Sequence, residues 1–135
     1  MRTKQVRPEK TQYEFELHIS MGTESITKRT FVLFDFRTVK IFENFVYKLT
    51  VETKLNMDKK EMHFNIEGLS APTIDLSKNG YAYFKYKLFD FKNNTYLLKL
   101  TKNRKIKCTS NLVISKNNIK LSKFSGKPFI KIIIN

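Results

Sequence analysis

Length, composition and charge confine this chain to a narrow class of proteins. The 135 residues are 41% hydrophobic and include only 4 Gly and 3 Pro, which excludes a low-complexity chain and predicts one domain with its own core. The single cysteine excludes an internal disulfide framework. The formal net charge is +14, from 26 Lys and Arg against 12 Asp and Glu, and this favours an acidic partner.

The positive charge is concentrated in the second half of the chain. Residues 1–67 hold 12 basic and 10 acidic side chains, whereas residues 68–135 hold 14 basic and 2 acidic ones, Asp75 and Asp90. Codon usage in an AT-rich genome explains many lysines, but it does not explain why the acidic residues lie early. We therefore expect the later basic residues to face an acidic protein surface, nucleic acid or an anionic membrane surface.

The N-terminal residues are polar and basic. We predict a flexible basic arm at residues 1–12, followed by a single all-β domain at residues 13–135. The start of the chain has no apolar stretch typical of a signal peptide, and no run approaches the roughly 20 apolar residues of a membrane helix. We expect a cytoplasmic protein without a transmembrane segment.

Alternating apolar and polar residues mark the strands of the first half. This period of two predicts a half-buried strand at residues 13–20. Residues 30–42 are apolar on both parities, which suits a central strand or a strand that bends between sheets. Residues 45–55 alternate again, and the polar stretch 56–60 predicts a hairpin turn onto residues 62–66.

The second half continues the same pattern. Residues 83–100 are predicted to form two strands of a hairpin, with its turn at residues 91–94. Further strands are predicted at 106–108, 112–114, 119–121 and 129–134. Strands recur about every 8–12 residues and no segment keeps a helical period, which predicts a sandwich or a barrel.

One segment narrows the choice between sandwich and barrel. In Asn93–Asn103 a turn precedes a tyrosine, and an alternating strand then leads into a polar hairpin, which resembles the late-strand pattern of immunoglobulin-like modules. The resemblance implies an antiparallel, immunoglobulin-like β-sandwich in which Tyr96 takes the tyrosine-corner position near the start of the penultimate strand. The chain departs from true immunoglobulin domains because it has no Trp and no pair of cysteines. A small meander β-barrel that holds an apolar ligand is the alternative fold.

The sequence offers little support for catalysis. It contains no Gly-rich phosphate loop, no nucleophile elbow and no cysteine pair for zinc. Cys108 lies on an alternating apolar position, where we expect a buried and inert thiol. We predict a protein that is not an enzyme, with no catalytic residues and no cofactor.

Two rows of possible metal ligands stand on the outward parity of two predicted strands. They are Glu14, Glu16 and His18 on one strand and Glu61, His63 and Glu67 on the other. If the two strands were neighbours, the rows would share one face and supply ligands for a divalent ion. Ordinary solvated residues on the exposed face of a sheet give the same pattern. We predict no metal site and keep His18, His63, Glu16 and Glu61 as weak candidates.

The strands and turns of the C-terminal segment carry nine basic residues on outward positions. They are Lys99, Arg104, Lys105, Lys107, Lys116, Lys120, Lys123, Lys127 and Lys131. A twisted sheet can gather such residues into one basic surface, which attracts phosphates without reading sequence. Single-strand binders add exposed rings for base stacking, and the candidates for this role are Tyr81, Tyr83 and Phe89.

These observations lead to hypotheses from different functional classes. The first is a non-catalytic β-sandwich interaction or structural module that binds an acidic partner surface. The second is a nucleic-acid-binding protein that uses the Lys-rich C-terminal half without sequence specificity. The third is a barrel that binds an apolar ligand. The sequence leaves the oligomeric state open.

Overall fold

The computed structural model describes residues 13–70, 73–89, 91–115, 118–126 and 129–135, and the predicted arm at 1–12 lies outside them. Within these ranges the chain forms strands, turns and bends, and no helix there is long and apolar enough to cross a membrane. The strands in chain order are β1 (Phe15–Thr23), β2 (Thr30–Thr38), β3 (Phe42–Val46), β4 (Leu49–Asn56), β5 (Glu61–Leu69), β6 (Thr73–Gly80), β7 (Tyr83–Leu88), β8 (Asn94–Lys102), β9 (Ile106–Ser115), β10 (Asn118–Gly126) and β11 (Ile130–Ile134).

The strands assemble into two large sheets and a small one. The four-stranded sheet has the order β11-β1-β2-β7, the five-stranded sheet has the order β10-β9-β8-β5-β4, and β3 pairs with β6. Neighbouring strands are antiparallel except β1 with β11 and β5 with β8, which run parallel. None of the described sheets closes into a barrel, so the predicted all-β sandwich is confirmed over the meander barrel. The sheets are mostly antiparallel, as expected, and the two parallel pairs were not predicted.

The two large sheets pack together through alternate side chains of each strand. Leu17 and Ile19 of β1 are fully buried, as the alternation of that segment predicts. Phe64 of the five-stranded sheet contacts three rings of the facing sheet, with centroid distances of 5.0 Å to Phe34, 5.1 Å to Phe36 and 6.0 Å to Tyr86. Burial of these rings is a large part of the favourable free energy of folding.

A long ribbon connects the two sheets. Strands β2, β3 and β4 run antiparallel to β7, β6 and β5, so the pair β3–β6 links a pair in one sheet to a pair in the other. At one corner the amide of Thr38 donates to the carbonyl of Ala82 at 2.9 Å, and at the other the amide of Ser70 donates to the carbonyl of Lys48 at 2.7 Å. Residues 30–42 therefore meet both expected alternatives, because β2 is an interior strand of the four-stranded sheet and the chain then bends into β3.

The predicted hairpin at residues 83–100 is wrong, although both of its strands exist. Strand β7 pairs with β2 in the four-stranded sheet, whereas β8 pairs with β5 and β9 in the five-stranded sheet. Leu88 and Tyr96 both enter the core from opposite sheets, at 5% and 2% exposure. The alternation shows which side chains are buried, but a core between two sheets accepts them from either side. The turn at 91–94 therefore belongs to a crossing between sheets.

The hydroxyl of Tyr96 is bonded to the backbone just upstream of β8. It donates to the carbonyl of Lys92 at 2.7 Å and accepts from the amide of the same residue at 3.0 Å. A tyrosine corner has this hydrogen bond to the backbone a few residues upstream. The strand is not the penultimate one, because β9, β10 and β11 follow it.

Candidate functional site

Outward side chains of the five-stranded sheet form rows across its strands. Lys54 of β4 pairs with His63 of β5, which pairs with Lys99 of β8, and Lys99 pairs in turn with Thr109 of β9. Lys107 stands in the adjacent row, opposite Thr101. Since alternate residues of each strand point to the same side, all of these side chains share the outer face of the sheet.

Six basic residues occupy this outer face and the β8–β9 turn at its end. We call the surface they form the basic face, and they are Lys54, Lys99, Arg104, Lys105, Lys107 and Lys120. Two of them have acidic partners: Lys99 Nζ lies 3.5 Å from Glu61, and the Arg104 guanidinium donates to both carboxylate oxygens of Glu52 at 3.0 Å. For the other four, no carboxylate of the described residues lies within ion-pair distance.

The pKa of His63 responds to the positive potential of the basic face. Burial lowers the pKa of His63 below its ordinary value, and the charges of Lys99, Lys54 and Lys107 lower it further against the opposing effect of Glu52. Each of these charges disfavours the imidazolium because it carries the same sign. Three lysines from three strands therefore act on one point of the surface.

A buried hydrogen-bond chain holds the centre of the basic face in place. The hydroxyl of Thr101 donates to Asn65 Oδ1 at 2.7 Å, so His63 Nε2 must be the donor in its 2.9 Å contact with that hydroxyl. The amide of Arg104 also donates to Asn65 Oδ1, at 3.0 Å, which ties the β8–β9 turn to β5. Asn65 and Thr101 are 2% and 7% exposed, and this chain of satisfied polar groups fixes the turn that carries two cations.

The nine basic residues predicted from the C-terminal segment divide into groups. Five of them lie together on the basic face: Lys99, Arg104, Lys105, Lys107 and Lys120. Lys123 is exposed at the register shift of β10, and Lys131 lies on the four-stranded sheet, opposite Glu16. Lys116 and Lys127 lie outside the described residues. Sequence reasoning missed Lys54, because β4 precedes the segment in which the charge asymmetry appears.

The predicted aromatic contacts lie on the other sheet. Tyr81 and Tyr83 are 41% and 46% exposed, and β7, which begins at Tyr83, is an edge strand of the four-stranded sheet. Phe89 instead packs on Phe31, with ring centroids 5.6 Å apart, and lies beneath the guanidinium of Arg29 at 4.6 Å. These rings therefore lie apart from the C-terminal lysines of the basic face, because β7 and β8 belong to different sheets.

Two cations accompany the exposed tyrosines. The guanidinium of Arg37 lies 5.1 Å from the centroid of the Tyr81 ring, and Lys85 Nζ lies 5.4 Å from that of Tyr83. The two rings contact each other edge to face at 6.4 Å. This tyrosine patch, consisting of Tyr81, Tyr83, Arg37 and Lys85, is a second and separate surface with exposed rings and positive charge.

The weak metal candidates are not brought together. His18 and Glu16 lie on β1 of one sheet, and His63 and Glu61 lie on β5 of the other. His18 Nε2 contacts Glu16 Oε1 at 3.0 Å, and Glu61 pairs with Lys99. Among the described residues no group of three or more His, Cys, Asp or Glu is placed to hold a metal ion.

Two further groups of chemical interest are buried. Cys108 is 1% exposed, and burial raises the pKa of its thiol to about 11. Asp35 of β2 is 4% exposed, and its Oδ2 accepts from Arg37 Nε at 3.2 Å and from the terminal guanidinium nitrogen at 2.9 Å. Oδ1 of Asp35 has no hydrogen-bond partner among the described residues. The apolar pattern of residues 30–42 did not indicate a buried carboxylate at this position.

The basic face brings six basic residues of the described part of the chain to one side of the five-stranded sheet. The tyrosine patch is smaller and lies on the opposite sheet. Compared with known proteins, the chain matches no family model, no curated protein and no solved structure.

Proposed function

We propose that this domain is a non-catalytic β-sandwich interaction module whose basic face binds an acidic protein surface. One observation carries the proposal. Four lysines of the basic face have no acidic partner among the described side chains, namely Lys54, Lys105, Lys107 and Lys120. Like charges held close together repel, and a surface of opposite charge offsets that repulsion. Complementary potentials of this kind raise the association rate and set the orientation of the partner.

The side chains of the basic face favour a protein partner over a single-stranded nucleic acid. Strands β5, β8 and β9, which are central to the face, expose no aromatic side chain, since Phe64 and Tyr96 are buried, and the exposed ring of Phe124 lies near the end of the edge strand β10. A single-strand binder needs exposed rings for stacking as well as cations. Fixed ammonium and guanidinium groups on a sheet instead suit carboxylates presented by another folded surface.

The immunoglobulin-like character of the sandwich is part of the same proposal. The Tyr96–Lys92 hydrogen bonds support it, because they reproduce the tyrosine corner of that architecture. The parallel pairing of β5 with β8 departs from it, because the sheets of immunoglobulin domains are antiparallel. Sandwiches of this kind host many functions, so the binding role is argued from the basic face and not from the fold.

A charge-reversal experiment tests the proposal. The triple variant Lys105→Glu, Lys107→Glu and Lys120→Glu should weaken binding to poly-glutamate by at least about tenfold at low salt, which is about 1.4 kcal/mol. The matched control is Lys28→Glu, Lys48→Glu and Lys92→Glu, which makes the same charge change at exposed positions off the basic face. Equal losses in both variants, or no binding by the unmodified protein at low salt, would contradict the proposal.

The tyrosine patch favours a second candidate function, the binding of single-stranded nucleic acid. Two half-exposed rings offer stacking, and Lys85 beside Tyr83 offers phosphate attraction on the same surface, whereas Arg37 beside Tyr81 is already paired with Asp35. The double variant Tyr81→Ser and Tyr83→Ser should then lower affinity for single-stranded DNA and leave poly-glutamate binding unchanged. Single-stranded DNA binding that survives this change, yet is lost in the basic-face triple variant, would assign nucleic acid to the basic face instead.

A further inference from the structure

A cleft opens between the two sheets at the end of the sandwich where the long ribbon bends. Its volume is about 790 Å³. Its walls come from residues 13–16 at the start of β1, residues 38–40 and Phe42 at the β2–β3 corner, Leu49 at the start of β4, and residues 68–69 at the end of β5. Small-molecule sites have volumes of about 300–1,000 Å³ and favour such openings between structural layers.

The lining of the cleft is largely apolar. Phe15 and Leu49 are buried at 7% and 3% exposure, and they continue the core of the sandwich into the cleft. Val39 and Leu69 also line it, although they are 50% and 43% exposed to water. Exposed apolar side chains that are contiguous with a buried apolar wall mark a surface that an apolar ligand can cover.

Three lysines also line the cleft, and they differ in their partners. Lys102 forms an ion pair with Glu14. Lys40 and Lys131 have no carboxylate of the described residues within ion-pair distance. The remaining lining acid, Glu16, contacts His18 Nε2 through its Oε1. The cleft therefore has two ammonium groups available to an anion beside an apolar wall.

We propose that the cleft binds a free amphipathic anion, with an aliphatic chain against Phe15, Leu49 and Leu69 and a carboxylate near Lys40 and Lys131. The apolar lining accounts for the chain, and the two unpaired lysines account for the charge of the head group. The occupant is a monomeric amphiphile and not a bilayer, because the apolar wall lies inside a concave cleft between two sheets. This site is independent of the basic face, with which it shares none of its residues.

Titration with decanoate and decanol separates the contribution of the aliphatic chain from that of the charged head group, because the two compounds have the same chain length. The protein should bind both compounds, and its affinity for decanoate should be higher. Binding is measured from the amide chemical shifts of the cleft residues. The double variant Lys40→Gln and Lys131→Gln should weaken the binding of decanoate by about tenfold and leave the binding of decanol unchanged, because only the anion interacts with the lysines. The double variant Val39→Asp and Leu69→Asp should abolish the binding of both compounds, because it removes apolar lining. Both positions are exposed enough for the fold to tolerate the change.

Controls make the outcome decisive. Ile26→Asp alters a side chain that is 90% exposed and outside the cleft, so it should leave both affinities unchanged. The basic-face triple variant should also bind decanoate normally, which separates this proposal from the function proposed above. Failure to bind decanoate, equal loss in Ile26→Asp, or binding only to vesicles of anionic phospholipid would overturn the proposal.

Discussion

The hydroxyl of Tyr96 both donates to and accepts from the backbone of Lys92, at 2.7 Å and 3.0 Å. Tyr96 is 2% exposed, so its ring is anchored in the core while its hydroxyl reaches the segment that crosses between the sheets. This pair of hydrogen bonds fixes the start of β8. Strand β8 in turn carries Lys99 and Thr101 onto the basic face.

Removal of that hydroxyl should destabilise the domain without changing its core packing. Tyr96→Phe loses both hydrogen bonds, and we expect a loss of about 1–3 kcal/mol in the free energy of unfolding. Urea denaturation measures this as a lower midpoint with an unchanged slope. Tyr83→Phe is the control, because the hydroxyl of this exposed residue makes no hydrogen bond to described residues, and an equal loss there would contradict the role of Tyr96.

Gly126 is required by the close approach of β10 to β9. Its φ is 99°, and an added Cβ would lie 2.6 Å from the carbonyl oxygen of Lys107 and 2.9 Å from Cα of Cys108. Gly126→Ala should therefore lower the free energy of unfolding by about 2 kcal/mol or more, because it adds both backbone strain and a steric clash. Gly80→Ala is the matched control, because a Cβ there meets nothing within 4 Å, and its thermal midpoint should change little.

Cys108 should resist alkylation in the folded protein. Burial raises its thiol pKa to about 11, so at pH 8 only roughly one thiol in a thousand is the reactive thiolate, even before steric protection. Labelling by iodoacetamide should be slow in native buffer and should accelerate in step with urea unfolding. Ser125→Cys supplies an exposed comparison thiol, and fast native labelling of Cys108 would show that β9 opens locally.

His63 should make the domain less stable in mild acid. Its pKa is lowered in the folded state from the ordinary 6.5, so below that pH the unfolded chain binds a proton more readily than the folded one. The stabilising contribution of neutral His63 is complete above pH 6.5 and declines as the pH falls below it. His63→Gln can still donate to Thr101, and its unfolding free energy should fall less between pH 7.5 and 5.5; an unchanged fall would contradict this assignment.

Local features of the fold were predictable from the sequence, because the alternation of apolar and polar residues along a strand indicates which of its faces is buried. Leu17 and Ile19 alternate with polar residues and are buried as predicted. The hairpin turn at 56–60 is confirmed by the antiparallel pairing of β4 with β5. Turn residues and alternation act over a few positions, so one sequence is enough to read them.

The pairing of strands that are distant in sequence was not predictable. The row from Lys54 through His63 to Lys99 exists only because β5 lies parallel to β8, and no local pattern specifies that neighbour. The same limit explains the wrong hairpin at 83–100 and the separation of Tyr83 from the basic face. Charge asymmetry indicated five members of the face, but their convergence depends on these long-range pairings.

The pKa of His63, measured by NMR with and without poly-glutamate, tests the central claim most directly. Carboxylates bound on the basic face offset the field of Lys54, Lys99 and Lys107, so the pKa of His63 should rise on binding. The ring resonances of His18, the other of the two histidines, should move little on binding, because it lies on the opposite sheet. A pKa of His63 that stays unchanged in the bound state would contradict binding at the basic face, as would a binding shift of the His18 resonances as large as that of His63.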